Sequence, residues 1–388
     1  MNAMNAAKLG PVLATLTQEF SRRAAEHDRD GTFPQENFVR LHEFGLLALT
    51  VPADHGGAAA DLATAARVIA AVARAEPATA LVLAMQYLSH KTVVPGFAPA
   101  LQTLVWRDAV LHGGLMNALR VEPELGTPAR GGMPATIGRR TATGWRISGH
   151  KLYSTGIQGL RWLSVWGRTD EPEPRVGIFL VPRDTPGIRI VESWDHLGMR
   201  ATVSHDVIFD DADIPAEYAA DLRAPAAWAT ERGAEALSWM IVLLGTLYDS
   251  VARASRDWLV RYLTERAPSN LGASLSTLPR FQEAVGDIDS KLLVNRSLLE
   301  RLTYAADRGA PLPLEQSLLI KHVVTTNVID TTLKALELTG NPGLSRNNPM
   351  ERHYRNALCS RIHTPQSDAI LAAAGKAAFA DLLRSDAA

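Results

Sequence analysis

The hydrophobic period changes twice along the 388 residues of this chain, from helical to strand-like and back, and that double switch constrains the fold more than any single motif. In residues 1–112 apolar side chains recur at three- and four-residue steps, most clearly in the Ala-rich run 61–76, which predicts amphipathic helices. Residues 50–57 (TVPADHGG) interrupt the pattern with Pro and paired Gly. Pro77 separates two helices, because it has no N–H to continue the first one's ladder. In residues 113–220 the period becomes two. Residues 162–167, 175–182 and 206–215 read as strands, and the Thr-Gly within 139–148 as a hairpin turn. From 221 to 388 the helical period returns. Leu237, Ile241, Leu244, Leu247 and Val251 share one face, and residues 278–306, 314–338 and 368–383 are long and amphipathic. The order predicts an α+β protein: an N-terminal α-helical domain, a central β-barrel or sandwich domain, and a C-terminal four-helix bundle.

Charge and cysteine content remove whole classes of function. Forty Lys and Arg against 41 Asp and Glu leave a net charge of −1, which argues against a nucleic-acid surface spread over the molecule. The single cysteine, Cys359, excludes a disulfide framework and a cysteine-rich zinc site, and it reads as a buried, inert thiol. The best apolar run, 239–248, is about half the length that spans a bilayer. The start of the chain lacks the pattern of a signal peptide, so a cytoplasmic protein with no membrane or nucleic-acid partner is expected. GxGxxG, GxxxxGK[ST], GxSxG and HExxH are all absent. The eleven histidines are scattered; His150, His205 and His353 read as ordinary polar residues, and no metal site is expected. With neither a metal nor an obvious nucleophile, difficult chemistry would need an organic cofactor.

Four segments, in order and at compatible spacing, carry a resemblance: 44–57 (FGLLALTVPADHGG), 149–169 (GHKLYSTGIQGLRWLSVWGRT), 195–215 (DHLGMRATVSHDVIFDDADIP) and 340–357 (GNPGLSRNNPMERHYRNA). Together they resemble the acyl-CoA dehydrogenase superfamily of flavoproteins over nearly the whole chain. The resemblance implies that fold and a flavin cofactor, FAD or FMN. It makes 149–169 the flavin-contacting strand, on which Tyr153 and Thr155 alternate to one face. There Tyr153 would stack on the isoalloxazine, the Thr155 hydroxyl would reach flavin N5, and Gly156 would allow close backbone approach. Arg266 matches an arginine that reaches a flavin pyrophosphate from a neighbouring subunit, a bidentate task suited to guanidinium. A longer Pro-Ser-Asn-Leu-Gly stretch follows it in place of the family's aromatic-glycine pair. Glu337, Gly340 and Gly343 match the adenine-side loop. A site completed by a neighbour implies a homodimer or homotetramer.

One departure decides the reaction. Dehydrogenases of the family remove an α-proton with a glutamate, often in a Tyr-Glu-Gly that follows Arg-Asp-Ala. Here Arg355-Asn356-Ala357 matches the latter, and His363, Thr364 and Pro365 fall where Tyr, Glu and Gly would be. A threonine hydroxyl cannot serve as that base. In some members the glutamate lies on the first bundle helix, and counting back from Gly245 points to Glu235, which follows Glu231-Arg232 in a charged first turn. That alternative is an FAD-dependent acyl-CoA dehydrogenase, reoxidised by an electron-transfer flavoprotein. His363-Thr364-Pro365 also resembles the His-x-Pro of the dibenzothiophene-monooxygenase-like branch. In that branch a reductase supplies reduced flavin, and oxygen forms a C4a-hydroperoxide. Asn117-Ala118 matches that branch too, and residues 121–132 (VEPELGTPARGG) keep only Glu-Pro and a Gly of the dehydrogenase run. The leading expectation is therefore a monooxygenase. In it His363 acts on the peroxide, Asn117 and Thr155 position the flavin edge, and Tyr87, His90 and Thr364 line the substrate pocket. A catalytically silent binding protein is the remaining alternative.

Overall fold

The computed structural model describes residues 6–126, 132–229 and 233–385, so residues 127–131 of the Glu-Pro stretch and the Glu231-Arg232 pair lie outside the description. The helical start contains α1 (Ala6–Ser21), α2 (Ala24–Asp30), α3 (Gln35–Glu43), α4 (Leu62–Ala75), α5 (Pro77–Leu88) and α6 (Pro99–His112). Local chemistry fixes the junctions. The Asp61 carboxylate caps α4 by accepting the Thr64 N–H. Glu76 ends α4 and caps α5 through the N–H groups of Ala78 and Thr79, with Pro77 at the first position of α5.

The strands are β1 (Leu115–Leu119), β2 (Ile137–Arg140), β3 (Gly144–Lys151), β4 (Leu160–Thr169), β5 (Val176–Pro182), β6 (Ile188–Val191), β7 (Asp206–Pro215) and β8 (Ala219–Arg223). They form one mixed sheet in the order β6-β7-β3-β2-β4-β5-β8, with β1 also paired to β4. Residues 139–148 make the expected hairpin, closed by Thr141 and Gly144. The strand patterns are explained by two cores. On β5, Phe179 and Val181 pack into the main core, while Val176, Ile178 and Leu180 face a second cluster with Trp106, Trp162 and Trp166. The sheet is thus buried on both faces, which is why 175–182 is apolar at almost every position.

The helical remainder comprises α7 (Pro225–Ala229), α8 (Ala234–Glu265), α9 (Pro279–Asp307), α10 (Leu314–Thr339), α11 (Asn341–Leu344), α12 (Met350–Leu358) and α13 (Ser367–Ser385). Helix α8 packs against α4, α5, α9, α10 and α12 and so ties both helical parts together. It is long and apolar enough to cross a membrane by length and composition, but 67% of its apolar window is buried inside the fold, as the core helix of a bundle requires.

Candidate active site

The segment expected as a continuous flavin-contacting strand is not one. Between β3 and β4 the chain makes a turn over residues 153–159; Tyr153 sits at φ 55° and Gly156 at φ 79°. Tertiary bonds replace the strand ladder. The Ser154 N–H donates to the His205 carbonyl (3.1 Å) and the Gly156 N–H to the Thr202 carbonyl (2.8 Å), which docks the turn on residues 199–205. Gly156 is needed for packing as well as conformation, since a Cβ there would sit 3.0 Å from both Val82 methyls.

This turn presents a mixed aromatic and hydroxyl surface. The half-exposed Tyr153 ring stands edge-on to Trp194 (6.4 Å) and His196 (5.9 Å), which are themselves stacked at 3.6 Å. The Ser204 hydroxyl donates to Thr155 Oγ1 at 3.2 Å, leaving the Thr155 O–H directed elsewhere. Buried Ser154 Oγ has no partner among the described residues. Asn117, nearly buried on β1, donates from Nδ2 to the Thr155 carbonyl at 3.0 Å, and its Oδ1 accepts the Ala118 N–H at 2.7 Å. Asn117 therefore positions the turn through its backbone.

The two residues expected from α5 have different surroundings. Tyr87 is fully buried and donates to the Leu46 carbonyl at 2.8 Å, which identifies it as a packing residue locking α5 to the 46–48 turn. His90 is also buried; one ring nitrogen meets Gln86 at 3.1 Å, and Nδ1 has no partner among the described residues. Burial alone lowers its pKa to about 3, so the ring is neutral. Gln86 also bonds Gly114 and Met116, so His90 lies beside the start of the Asn117 strand.

A second constellation forms where α8, α10 and the segment after α12 meet. His363 Nε2 and the Tyr248 hydroxyl are 2.6 Å apart. Lys321, from α10, donates to the carbonyls of His363 (2.8 Å) and Pro365 (2.9 Å). Burial first, then the Lys321 charge, lowers His363 to about 4, and burial lowers Lys321 to about 8. Burial pushes Tyr248 well above its usual value. A cavity of about 20 Å³, the size of one water, borders Gly245, Tyr248, Lys321, Thr325, Ser360 and His363. Thr364 stands between the two carbonyls that Lys321 holds. Sequence reasoning missed Tyr248 and Lys321. Tyr248 adjoins the apolar stripe of α8 and reads as core, whereas Lys321 inside the apolar run SLLIKHVV was a visible signal.

Other expected residues stay apart from these groups. Glu235 is exposed in the first turn of α8 and makes no hydrogen bond or ion pair among the described residues. At 1.5 Å per residue, it lies about 20 Å along the helix from Tyr248. Arg266 is exposed at the other end of α8, its side chain without a partner among the described residues. Glu337 is exposed and pairs with Lys334 at 3.4 Å, and Gly340 ends α10 at φ 60°. Among the described residues of one chain, no hydrogen bond or ion pair joins Arg266, Glu337 or Gly340 to the 153–156 turn.

Family models span most of the sequence: the acyl-CoA dehydrogenase N-terminal domain matches residues 11–94, the middle domain 121–212 and the C-terminal domain 235–371. The chain belongs to the acyl-CoA dehydrogenase family. It is accordingly a flavin-dependent oxidoreductase whose cofactor is FAD or FMN. The Bacillus subtilis protein YdbM is 29% identical over 370 residues, covering 92% of this chain and 93% of its own. Mouse mitochondrial short-chain specific acyl-CoA dehydrogenase is 27% identical, covering 89% and 82%. Among solved structures, KijD3 in complex with FMN and dTDP-3-amino-2,3,6-trideoxy-4-keto-3-methyl-D-glucose superposes with a TM-score of 0.82 at 28% identity, covering 95% of this chain and 92% of that one. Butyryl-CoA dehydrogenase from Megasphaera elsdenii superposes at 0.84 with 19% identity, covering 98% and 100%, a likeness of fold. The donor set of the 153–156 turn fits a flavin: a hydroxyl free to donate, an orphaned serine oxygen and an exposed aromatic ring suit a planar heterocycle with polar edges.

Proposed function

We propose that this enzyme is a monooxygenase that uses reduced flavin and oxygen on a small-molecule substrate. One observation carries the reading: where a dehydrogenase would place its glutamate, this chain has Thr364, next to a neutral His363 bonded to Tyr248. When bound and reduced, the flavin supplies the activation of oxygen. The protein's part is to hold the ring and to manage protons in a site closed to water. Tyr153 and Thr155 contact the flavin, Asn117 fixes the Thr155 backbone, and Gly156 keeps the turn against α5. The His363–Tyr248 pair holds a transferable proton between Nε2 and the phenol oxygen, and Lys321 clamps the backbone on both sides of Thr364. His90 and Thr364 border the substrate. FMN is favoured over FAD by the KijD3 structure, a complex with FMN. A separate flavin reductase would deliver the reducing equivalents, and a homodimer or homotetramer would bring Arg266 to a neighbour's cofactor.

A second reading, an acyl-CoA dehydrogenase coupled to an electron-transfer flavoprotein, rests on the free carboxylate of Glu235 at the head of α8. Anaerobic mixing of flavin-loaded protein with a panel of acyl-CoAs separates the two. Retention of the oxidised flavin band is expected; bleaching would overturn the monooxygenase reading. Glu235→Gln should leave the rate of oxygen-dependent turnover within about twofold, whereas loss of a true base costs roughly 10²-fold or more.

A further inference from the structure

A cleft of about 900 Å³ lies between α1, α2 and the end of α4 on one side and α8 and α12 on the other, with residues 195–197 at one wall. Seven arginines and four carboxylates line it. The carboxylates are all engaged. Asp28 and Glu351 pair with Arg355, Asp195 with Arg200, and Asp257 with Arg74. Arg29 is taken by Asp30. Arg261, Arg346 and Arg352 remain, and none has a hydrogen bond or ion pair among the described residues.

Arg352 is the telling member. It is only partly exposed, and burial holds its guanidinium below the ordinary value. The nearest carboxylates are committed elsewhere: Asp28 and Glu351 to Arg355, Glu76 to the N-terminal N–H groups of α5. Five N–H donors without an acceptor are costly at such a site. His353, 93% buried and also lining the cleft, has a bare Nδ1.

We propose that this cleft is a binding site for a small ligand bearing at least a diphosphate, gripped by Arg261, Arg346 and Arg352. Guanidinium groups match phosphate oxygens bidentately, and the excess of arginines over carboxylates in the cleft suits a pyrophosphate. The volume accommodates a nucleotide-sized molecule. A flat polyanionic partner fits less well, because the carboxylate of Asp195 is almost fully exposed at the wall and would meet it first. The cleft adjoins the 153–156 turn at one point, since His196 lines it and stands edge-on to Tyr153.

Titration calorimetry with inorganic pyrophosphate and with ADP, at low salt and on protein with and without flavin, tests this. Saturable binding is expected in both forms, weakened at least about tenfold in Arg261→Ala/Arg346→Ala with flavin content unchanged. Absence of binding, or equal affinity in the double variant, overturns the proposal. Binding of poly-glutamate but not pyrophosphate would make the cleft a protein-docking surface and overturn it as well. Displacement of pyrophosphate by FMN or by FAD would do the same, by making the cleft part of the flavin site.

Discussion

Replacing Lys151 with methionine probes the joint between the segments 121–126 and 151–156, the second of which is proposed to hold the flavin. The Lys151 and Glu122 side chains are 0% and 1% exposed, and Nζ lies 2.7 Å from Oε1. Nζ also donates to the Trp166 carbonyl, and Glu122 accepts the N–H groups of Ala135 (2.7 Å) and Thr136 (3.0 Å). Methionine nearly conserves the volume, so the cavity contribution is small. What remains is a desolvated carboxylate with two backbone donors and no cation, a change that costs about 3–5 kcal/mol. The loss depends on pH with a definite sign. In the native protein burial pushes Glu122 up, but the Lys151 charge and the hydrogen bonds outweigh it, so its pKa lies below the usual carboxylate range. Glu122 thus contributes stability above its unfolded pKa and loses it as pH falls. In the variant, burial without the cation raises the Glu122 pKa, so stability falls as pH rises through the unfolded value toward the folded one. Both trends make the deficit larger at pH 7 than at pH 5. Urea unfolding followed by tryptophan fluorescence at the two pH values measures it. Lys151→Met/Glu122→Gln should recover part of the loss, and flavin content should fall in the single variant, because residues 121–126 and 151–156 lose their common anchor. A deficit below about 1 kcal/mol at pH 7, or one identical at both pH values, would refute the reasoning.

Tyr248→Phe keeps the α8 packing and deletes the hydroxyl bonded to His363 Nε2, so substrate oxidation in a single-turnover assay should fall roughly 10²-fold with the melting temperature nearly unchanged. His363, held at about 4 against about 6.5 when unfolded, binds fewer protons folded than unfolded between those values. It therefore subtracts stability as pH drops from about 6.5 to about 4, and His363→Gln should flatten that acid slope in unfolding midpoints. Gly198→Ala would place a Cβ 2.3 Å from the Arg355 carbonyl oxygen and force the 195–200 segment off α12, so a destabilisation of about 1–3 kcal/mol or more is expected in thermal unfolding.

Periodicity made the fold legible because each element buries a face that its own sequence records. The helix in 61–76, the break at Pro77 and the hairpin in 139–148 all depend on neighbours within a few residues, and all appear where local chemistry places them. The candidate site obeys a different rule. In the run K-L-Y-S-T-G, alternation argued for a strand, yet the N–H groups of Ser154 and Gly156 find acceptors on His205 and Thr202, about 50 residues away, and the backbone turns to meet them. No local pattern encodes such an exchange of partners. Likewise, His363 was recognisable from its place before Thr364-Pro365, but its partner Tyr248 lies 115 residues earlier and Lys321 42 residues earlier, each on a helix whose neighbours are mostly apolar. Tyr248 gave no warning, because a tyrosine beside an apolar stripe satisfies the core equally well. Lys321 did, because an ammonium among Leu, Ile and Val is costly unless something accepts its protons. Arg352 poses the same question in the cleft beside α12, and there no acceptor is present among the described residues. Lys321 found its answer in two carbonyls of its own chain; the guanidinium of Arg352, only partly exposed, is the group that the proposed ligand would pair.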